Sequence, residues 1–365
     1  MQQTETSYYQ TIRRKLHSNP GVSGSEWFAH DLVVSELHNL HPTEVHEHVG
    51  GYGVVAFWKS PNPDARTLAF RADIDALPIG HRCGHDGHTA VMLCFAEMVD
   101  REQERKCNVV LVFQPEEETG RGAAKIVESG ILQRYKVDAI FAFHNLPGFA
   151  EGTVVLNEGT FAAASTGVVY RLQGRATHAS TPEKGINPGL ASAEIIQRFS
   201  STLNTGASSS DTRQSTLVCC RIGEEAFGTS AGSAEIMFTL RAFTNSAMHL
   251  LLDSADSIVR ETAQREHLQV ARELREPFRA TENTTDLVRR MRQILEPFHT
   301  VVTLDRPFRW SEDFAEYLQL FPGVLFGIGS GVNHPELHHP EYDFPDGIIR
   351  GAADCFRMIK DNVLK

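Results

Sequence analysis

The sequence is poor in the features that mark secreted, membrane-bound or nucleic-acid-binding chains. Six cysteines in 365 residues are too few for a disulfide scaffold, so free thiols in a reducing compartment are expected. Five of the six read as small buried hydrophobes; Cys83 is set apart by its neighbours. No stretch approaches the ~18 consecutive apolar residues of a membrane span. Residues 1–9 are polar, without the basic start and apolar run of a secretory signal. A soluble, cytoplasmic protein with no membrane partner is the expectation. An excess of basic charge is also missing. The formal net charge is -11, which argues against a nucleic-acid partner, because phosphate binding needs a basic face. There is no internal repeat and no low-complexity segment.

What is present is an ordinary globular composition, 41% hydrophobic and 22% charged, on a chain long enough for two domains. Residues 9–40 carry apolar side chains at helical spacing, broken by Asn19-Pro20-Gly21. Residues 54–58, 67–70, 109–113 and 139–143 read as strands, and 88–99 and 123–132 as helices. This alternation predicts an α/β fold with a mixed, largely parallel sheet flanked by helices. The middle of the chain differs. Strands at 165–172, 216–222 and 234–243, with helices at 188–204 and 247–266, predict an inserted α+β sandwich, and the Ser-rich 206–211 reads as a loop. From 276 the first pattern returns, with a helix at 282–295, strands at 301–304 and 324–328, and a closing helix at 347–364. The expected domains are therefore 1–164 joined to 276–365, and 165–275.

Three polar clusters sit at the ends of three apolar strands: Arg71-Ala-Asp73-Ile-Asp75, Gln114-Pro-Glu116-Glu117-Glu118 and His144-Asn145. In open α/β sheets the ligand crevice lies at the carboxyl ends of the strands, so the three should converge. Between the first two runs Cys83-Gly84-His85-Asp86-Gly87-His88, where a thiol, imidazoles and a carboxylate within six residues form a metal-ligating set. Its glycines let the backbone turn so that several side chains face one point. Adjacent carboxylates after the Gln114-Pro115 turn can divide the labour of metal-assisted hydrolysis, one holding a metal and its neighbour a water. His338-His339 lies in a loop before the closing helix.

These motifs resemble the aminoacylase and hippurate hydrolase branch of the dinuclear metal amidohydrolases, a group that includes plant hydrolases of auxin conjugates and is related to glutamate carboxypeptidases. The matching stretches are Arg71-Ala-Asp-Ile-Asp-Ala-Leu-Pro78, Cys83-Gly-His-Asp-Gly-His-Thr89, Phe113-Gln-Pro-Glu-Glu-Glu118, Phe143-His-Asn145, Ser311-Glu-Asp-Phe314 and Leu337-His-His-Pro340, in the family's order. The resemblance implies two divalent ions held by Cys83, His85, Glu118, His144 and His338. It implies Glu117 as general base and Asp73 as a carboxylate that orients a ligand. Cys83 stands where relatives outside this branch carry a bridging aspartate, and Ser311-Glu312-Asp313 buttresses the site. Gly174-Arg-Ala-Thr-His178-Ala-Ser resembles a lid motif in which His178 assists the substrate carbonyl of a partner subunit, so a homodimer is implied. Arg241 matches a lid arginine suited to a substrate carboxylate.

The substrate implied is a small N-acyl amino acid, cut at its amide bond. A dipeptidase or carboxypeptidase on the same site, and a binder of metal or amide ligand without hydrolysis, are the alternatives. The thiolate and imidazoles favour zinc, a carboxylate-rich second site accepts manganese, and the resemblance leans towards manganese. Two segments depart from the family. Pro78-Ile79-Gly80 runs almost directly into Cys83, where relatives carry a longer loop walling the acyl pocket, so His81 or Arg82 is expected to fill the gap. Gly228 and Ala231 stand where relatives carry an asparagine and a proline.

Overall fold

In a computed structural model, residues 2–204 and 212–364 are described; the predicted loop at 206–211 lies outside them. The chain divides into two compact units. One comprises Met1–Phe161, Thr281–Asp305 and Asp313–Lys365, the other Ala162–Ala280 with Arg306–Glu312. The boundaries differ from 164 and 276 by a few residues, and the short segment Arg306–Glu312 joins the second unit although the chain has already returned to the first.

The first unit is built on an eight-stranded sheet. Its strand order is Glu44–Val49, Gly53–Trp58, Asn108–Gln114, Thr67–Asp73, Val137–Pro147, Gly323–Gly331, Val154–Leu156 and Val301–Thr303. The central strands run parallel: Thr67–Asp73 pairs in parallel with both Asn108–Gln114 and Val137–Pro147, which itself pairs in parallel with Gly323–Gly331. Three antiparallel pairings, and a parallel one between Val154–Leu156 and Val301–Thr303, complete the mixed sheet. The Thr67–Asp73 strand is buried at every position, as expected of a strand covered on both faces, and its Leu68–Phe70 stretch reads as an apolar run that passes into buried Arg71 and Asp73. Helices Gln2–His17, Trp27–His38, His85–Arg101, Thr285–Leu295 and Ile349–Asn362 supply apolar side chains to one core with the sheet, including Leu16, Val33, Phe95, Met291 and Phe356.

Several elements differ from expectation. The helix read at 123–132 is two helices, Gly122–Glu128 and Ile131–Arg134, because Gly130 takes φ +74°, a left-handed conformation that ends a helix. Several strands, most of them short, gave no readable signal, and for three of them the reason is plain. Glu44–Val49 lacks an apolar alternation, Val154–Leu156 has three residues, and Gln269–Phe278 is almost wholly exposed and rich in charge.

The second unit is a four-stranded antiparallel sheet in the order Arg213–Ile222, Ser233–Ala242, Ala164–Gln173, Gln269–Phe278. Helices Gly189–Arg198 and Asn245–Arg265 bury Ile195, Leu251 and Val259 against sheet residues such as Val168 and Phe238. Among the described residues no helix is long and apolar enough to cross a membrane.

Candidate metal centre

The centre grows from the parallel strands. In the Thr67–Asp73 strand, Arg71 and Asp73 are two residues apart and so share a face; Arg71 Nη1 donates to Asp73 at 2.6 Å. The Asn108–Gln114 strand ends at Gln114, which pairs in register with Asp73. Glu117 and Glu118 follow in the turn, after Glu116 at φ +55°. His144 and Asn145 are within the Val137–Pro147 strand itself. Gly84, at φ +97°, begins the helix His85–Arg101. A Cβ at Gly84 would lie 2.5 Å from Asn145 Oδ1, so a glycine is required there both for the turn and for the close approach. That brings Cys83, His85 and His88 against the strand ends.

Donor atoms converge. Cys83 Sγ lies 3.8 Å from His144 Nε2 and 3.4 Å from His338 Nε2. His85 Nε2 lies 3.9 Å from both Glu117 Oε2 and Glu118 Oε1, and His338 Nε2 is 3.9 Å from the same Glu118 oxygen. The groups Cys83–His85–His144 and Cys83–Glu118–His338 each have ligand atoms within 4.8 Å of one another. Backbone partners set the rings. His85 Nδ1 donates to the Asp75 carbonyl at 3.1 Å and His144 Nδ1 to the Asn145 carbonyl at 2.9 Å, which leaves both Nε2 lone pairs facing the cluster. His338 sits at φ +67°, and its backbone amide donates to the Arg82 carbonyl at 2.8 Å.

The donor set fits divalent cations. His85 Nε2 and Glu118 Oε1 are buried without a hydrogen-bond partner, a costly condition unless something else satisfies them. Burial, with Asp75 close by, pushes the Glu118 carboxyl up to about 7. Burial and the neighbouring Glu118 push the Cys83 thiol well above its usual range. Burial together with His88 holds His144 well below the usual imidazole value. Burial opposes charge on His85 as well, but Asp73 and Cys83 hold its imidazole well above the usual range. The Cys83 thiol, the His144 imidazole and the Glu118 carboxyl each resist charging, and divalent ions would satisfy such a donor set.

Asp73 meets a partner that its place in the sequence does not single out. Its Oδ1 is 2.6 Å from His88 Nδ1, whereas its Oδ2 is 3.7 Å from His85 Nε2. Burial alone would raise the Asp73 carboxyl, but His85, His88 and Arg71 hold it well below the usual carboxylate range. His88, three residues after His85 on one helix, was legible by that spacing. Asp313 is the base of the arrangement: it accepts from Arg71 Nη2 at 2.9 Å, from the Gln114 amide at 2.8 and 2.9 Å and from the Ala123 amide at 2.9 Å.

At the shortened loop, His81 is 2% exposed with neither ring nitrogen hydrogen-bonded, and burial lowers its pKa to about 4. Arg82 Nη1 donates to the Tyr342 carbonyl at 2.5 Å. His178 and Arg241 belong to the second unit. His178 is exposed, with Nδ1 2.7 Å from Ser180 Oγ. Arg241 donates to the Arg309 carbonyl at 2.6 Å and to Ser311 Oγ at 3.3 Å.

The fold and this donor set define a class. The chain belongs to peptidase family M20/M25/M40, whose model matches residues 69–361, and it is a hydrolase of amide bonds. It is 26% identical to a hippurate hydrolase of Campylobacter jejuni, over 98% of this chain and 97% of the relative. It is 31% identical to an Arabidopsis thaliana protein named IAA-amino acid hydrolase ILR1-like 5, over 91% and 80%, and 28% identical to an N-acetyldiaminopimelate deacetylase of Lactobacillus helveticus, over 96% of each. Among solved structures, the Bacillus subtilis YXEP protein, described as a dinuclear metal-binding peptidase of the M20 family, shares the fold with a TM-score of 0.85 at 24% identity, covering 99% of this chain and 98% of that one.

Proposed function

We propose that this chain hydrolyses the amide bond of N-acyl amino acids with two divalent ions held by Cys83, His85, Glu118, His144 and His338. The observation that carries the reading is the position of Glu117 and Glu118. Neighbours in the chain, both reach to 3.9 Å from His85 Nε2, and Glu118 also lies 3.9 Å from His338 Nε2 and groups with Cys83 and His338. That grouping supports Glu118 as a ligand, with its neighbour Glu117 as the group for proton transfer. The relatives named for hippurate, auxin conjugates and N-acetyldiaminopimelate favour an acylated amino acid as substrate.

When bound, the two ions would polarise the scissile carbonyl and acidify water. Manganese and zinc both suit the donor set. Glu117 takes a proton from the attacking water, whose oxygen adds to the acyl carbon. The carbon–nitrogen bond then breaks, and Glu117 returns the proton to the leaving nitrogen. The products are a carboxylic acid and a free amine. Asp73 fixes the ring of His88 and stands beside His85. His178 assists the substrate carbonyl from a partner subunit, and Arg241 takes the substrate carboxylate. The homodimer that this requires has a candidate surface in the second unit. The edge strand Arg213–Ile222 exposes Leu217, Val218 and Ile222, and Phe227 is 97% exposed. We place the protein in the cytoplasm, in keeping with six cysteines that form no disulfide.

The test is amine release from N-acetyl to N-benzoyl amino acids and from dipeptides, after chelation and after return of manganese or zinc. Metal-restored release from acylated substrates is expected. Release from dipeptides alone moves the chain to the peptidase reading. Glu117→Gln should lower kcat by about 10²–10⁴-fold while the metal content per chain is unchanged; normal turnover would remove Glu117 from the mechanism.

A further inference from the structure

We infer that the first unit carries a second, peripheral binding site for a zinc-like divalent ion, formed by His30, Glu47 and His48. Three ligand atoms, one from each residue, lie within 4.8 Å of one another. His30 comes from the helix Trp27–His38, and Glu47 and His48 from the strand Glu44–Val49. None of the three belongs to the catalytic donor set.

In a regular strand, consecutive side chains point to opposite faces, so Glu47 and His48 should not meet at one place. They do because the strand is irregular at that point. Its register with Gly53–Trp58 shifts between His46 and Val49, and His48 takes φ +57°. A non-glycine residue in the left-handed region is uncommon and carries a strain cost. A bulge of this kind re-aims side chains, and here it lays the His48 ring on the His30 ring at 4.2 Å between centroids and 17° between planes.

The His30 ring is oriented as in a ligand. It is 2% exposed, and its Nδ1 donates to the Tyr52 carbonyl at 2.9 Å. A histidine with Nδ1–H on a backbone carbonyl presents a free Nε2 lone pair, the usual arrangement of a metal-bound imidazole. That Nε2 faces Glu47 Oε2 at 3.8 Å, beyond hydrogen-bond reach and with room for an ion between them. The Tyr52 ring stands edge-on to both histidines, 6.0 and 6.2 Å away. Two imidazoles and one carboxylate are a familiar zinc donor set, with a further position open to water. His48 and Glu47 are exposed, so an ion has access. Bound there, it ties the edge strand of the sheet to the helix Trp27–His38.

The experiment counts zinc. Tag-free, chelator-treated full-length protein is titrated with Zn²⁺ by calorimetry, and bound zinc is measured after gel filtration. His48→Asn is the test variant, since asparagine tolerates the left-handed backbone; Glu47→Gln is the second. Wild type is expected to hold one more zinc per chain than either variant, and excess Zn²⁺ is expected to raise its melting temperature by several degrees more than theirs. Amide hydrolysis at limiting metal should be the same in all three. Equal zinc stoichiometry in wild type and His48→Asn, with both folded by circular dichroism, would overturn the site. Because the catalytic donors are intact in every arm, loss of the catalytic reading would appear as absent hydrolysis and leave this difference unaffected.

Discussion

Arg71 is a full positive charge at 1% exposure, and a buried charge persists only when paired and hydrogen-bonded. Its guanidinium is shared among Asp73 at 2.6 Å, Gln114 at 2.7 Å and Asp313 at 2.9 Å. Asp313 therefore holds the strand end that presents Asp73 and, through Gln114, the turn that presents Glu117 and Glu118. Asp313→Ala strands Arg71 and the Gln114 amide together. It is expected to cost about 3–5 kcal/mol, read as a lowered melting temperature in scanning calorimetry, whereas Asp313→Asn should cost less. An unchanged melting temperature in the alanine variant would falsify this account. Arg71, Asp73 and Gln114 were legible because each adjoins an apolar run. Asp313 is 199 residues from Gln114, and no local pattern announces that pairing. His338 shows the same limit, since its approach to Cys83 depends on a left-handed turn tethered to the Arg82 carbonyl.

At the scale of elements, the two glycines of the Cys83–His88 motif serve different ends. Their spacing suggested that both relax the backbone. Only Gly84 has a positive φ. Gly87 lies within the helix His85–Arg101, and an added Cβ would fall 2.2 Å from the ring of Phe344. Close packing of helix on aromatic ring is thus the requirement at that position. Gly87→Ala should destabilise the protein by about 1–3 kcal/mol through overpacking, despite alanine's better helix propensity. Phe344→Leu in the same chain should recover part of the loss in urea unfolding. If Gly87→Ala is neutral, the ring moves aside freely and the motif's second glycine has another cause. Elements with strong apolar periodicity were readable to within a few residues. The charged strand Gln269–Phe278 was not, because its pairing with Ala164–Gln173 is made by backbone hydrogen bonds that leave its side chains exposed.

For the whole molecule, the property of most consequence is assembly. The strand Arg213–Ile222 forms an edge of its sheet and exposes Leu217 and Val218, the kind of edge that recruits another chain unless it is blunted. If the proposed homodimer forms through this edge, Val218→Lys is expected to shift it to monomer in analytical ultracentrifugation, because a lysine on such an edge opposes strand-to-strand pairing. A wild-type protein that sediments as a monomer would remove both the dimer and the role given to His178 across it.

The class of the protein could be read without coordinates, because its chemistry is written in short contiguous motifs. Carboxylates and an imidazole adjoin apolar strands, a thiol and two further imidazoles cluster at the start of a helix, and local spacing suffices to read them. The alternation of strand and helix around an inserted antiparallel segment was equally legible, since periodicity is a local property. Which atoms meet was settled by packing. The fold turned Asp73 onto His88, set Asp313 beneath Arg71 and Gln114, buried His81 without a hydrogen bond to either ring nitrogen, and stacked His48 on His30 through a bulge. Each of those arrangements joins residues on different elements or depends on a backbone conformation that its own side chain does not favour. Contacts of that kind arise only when the whole chain is packed.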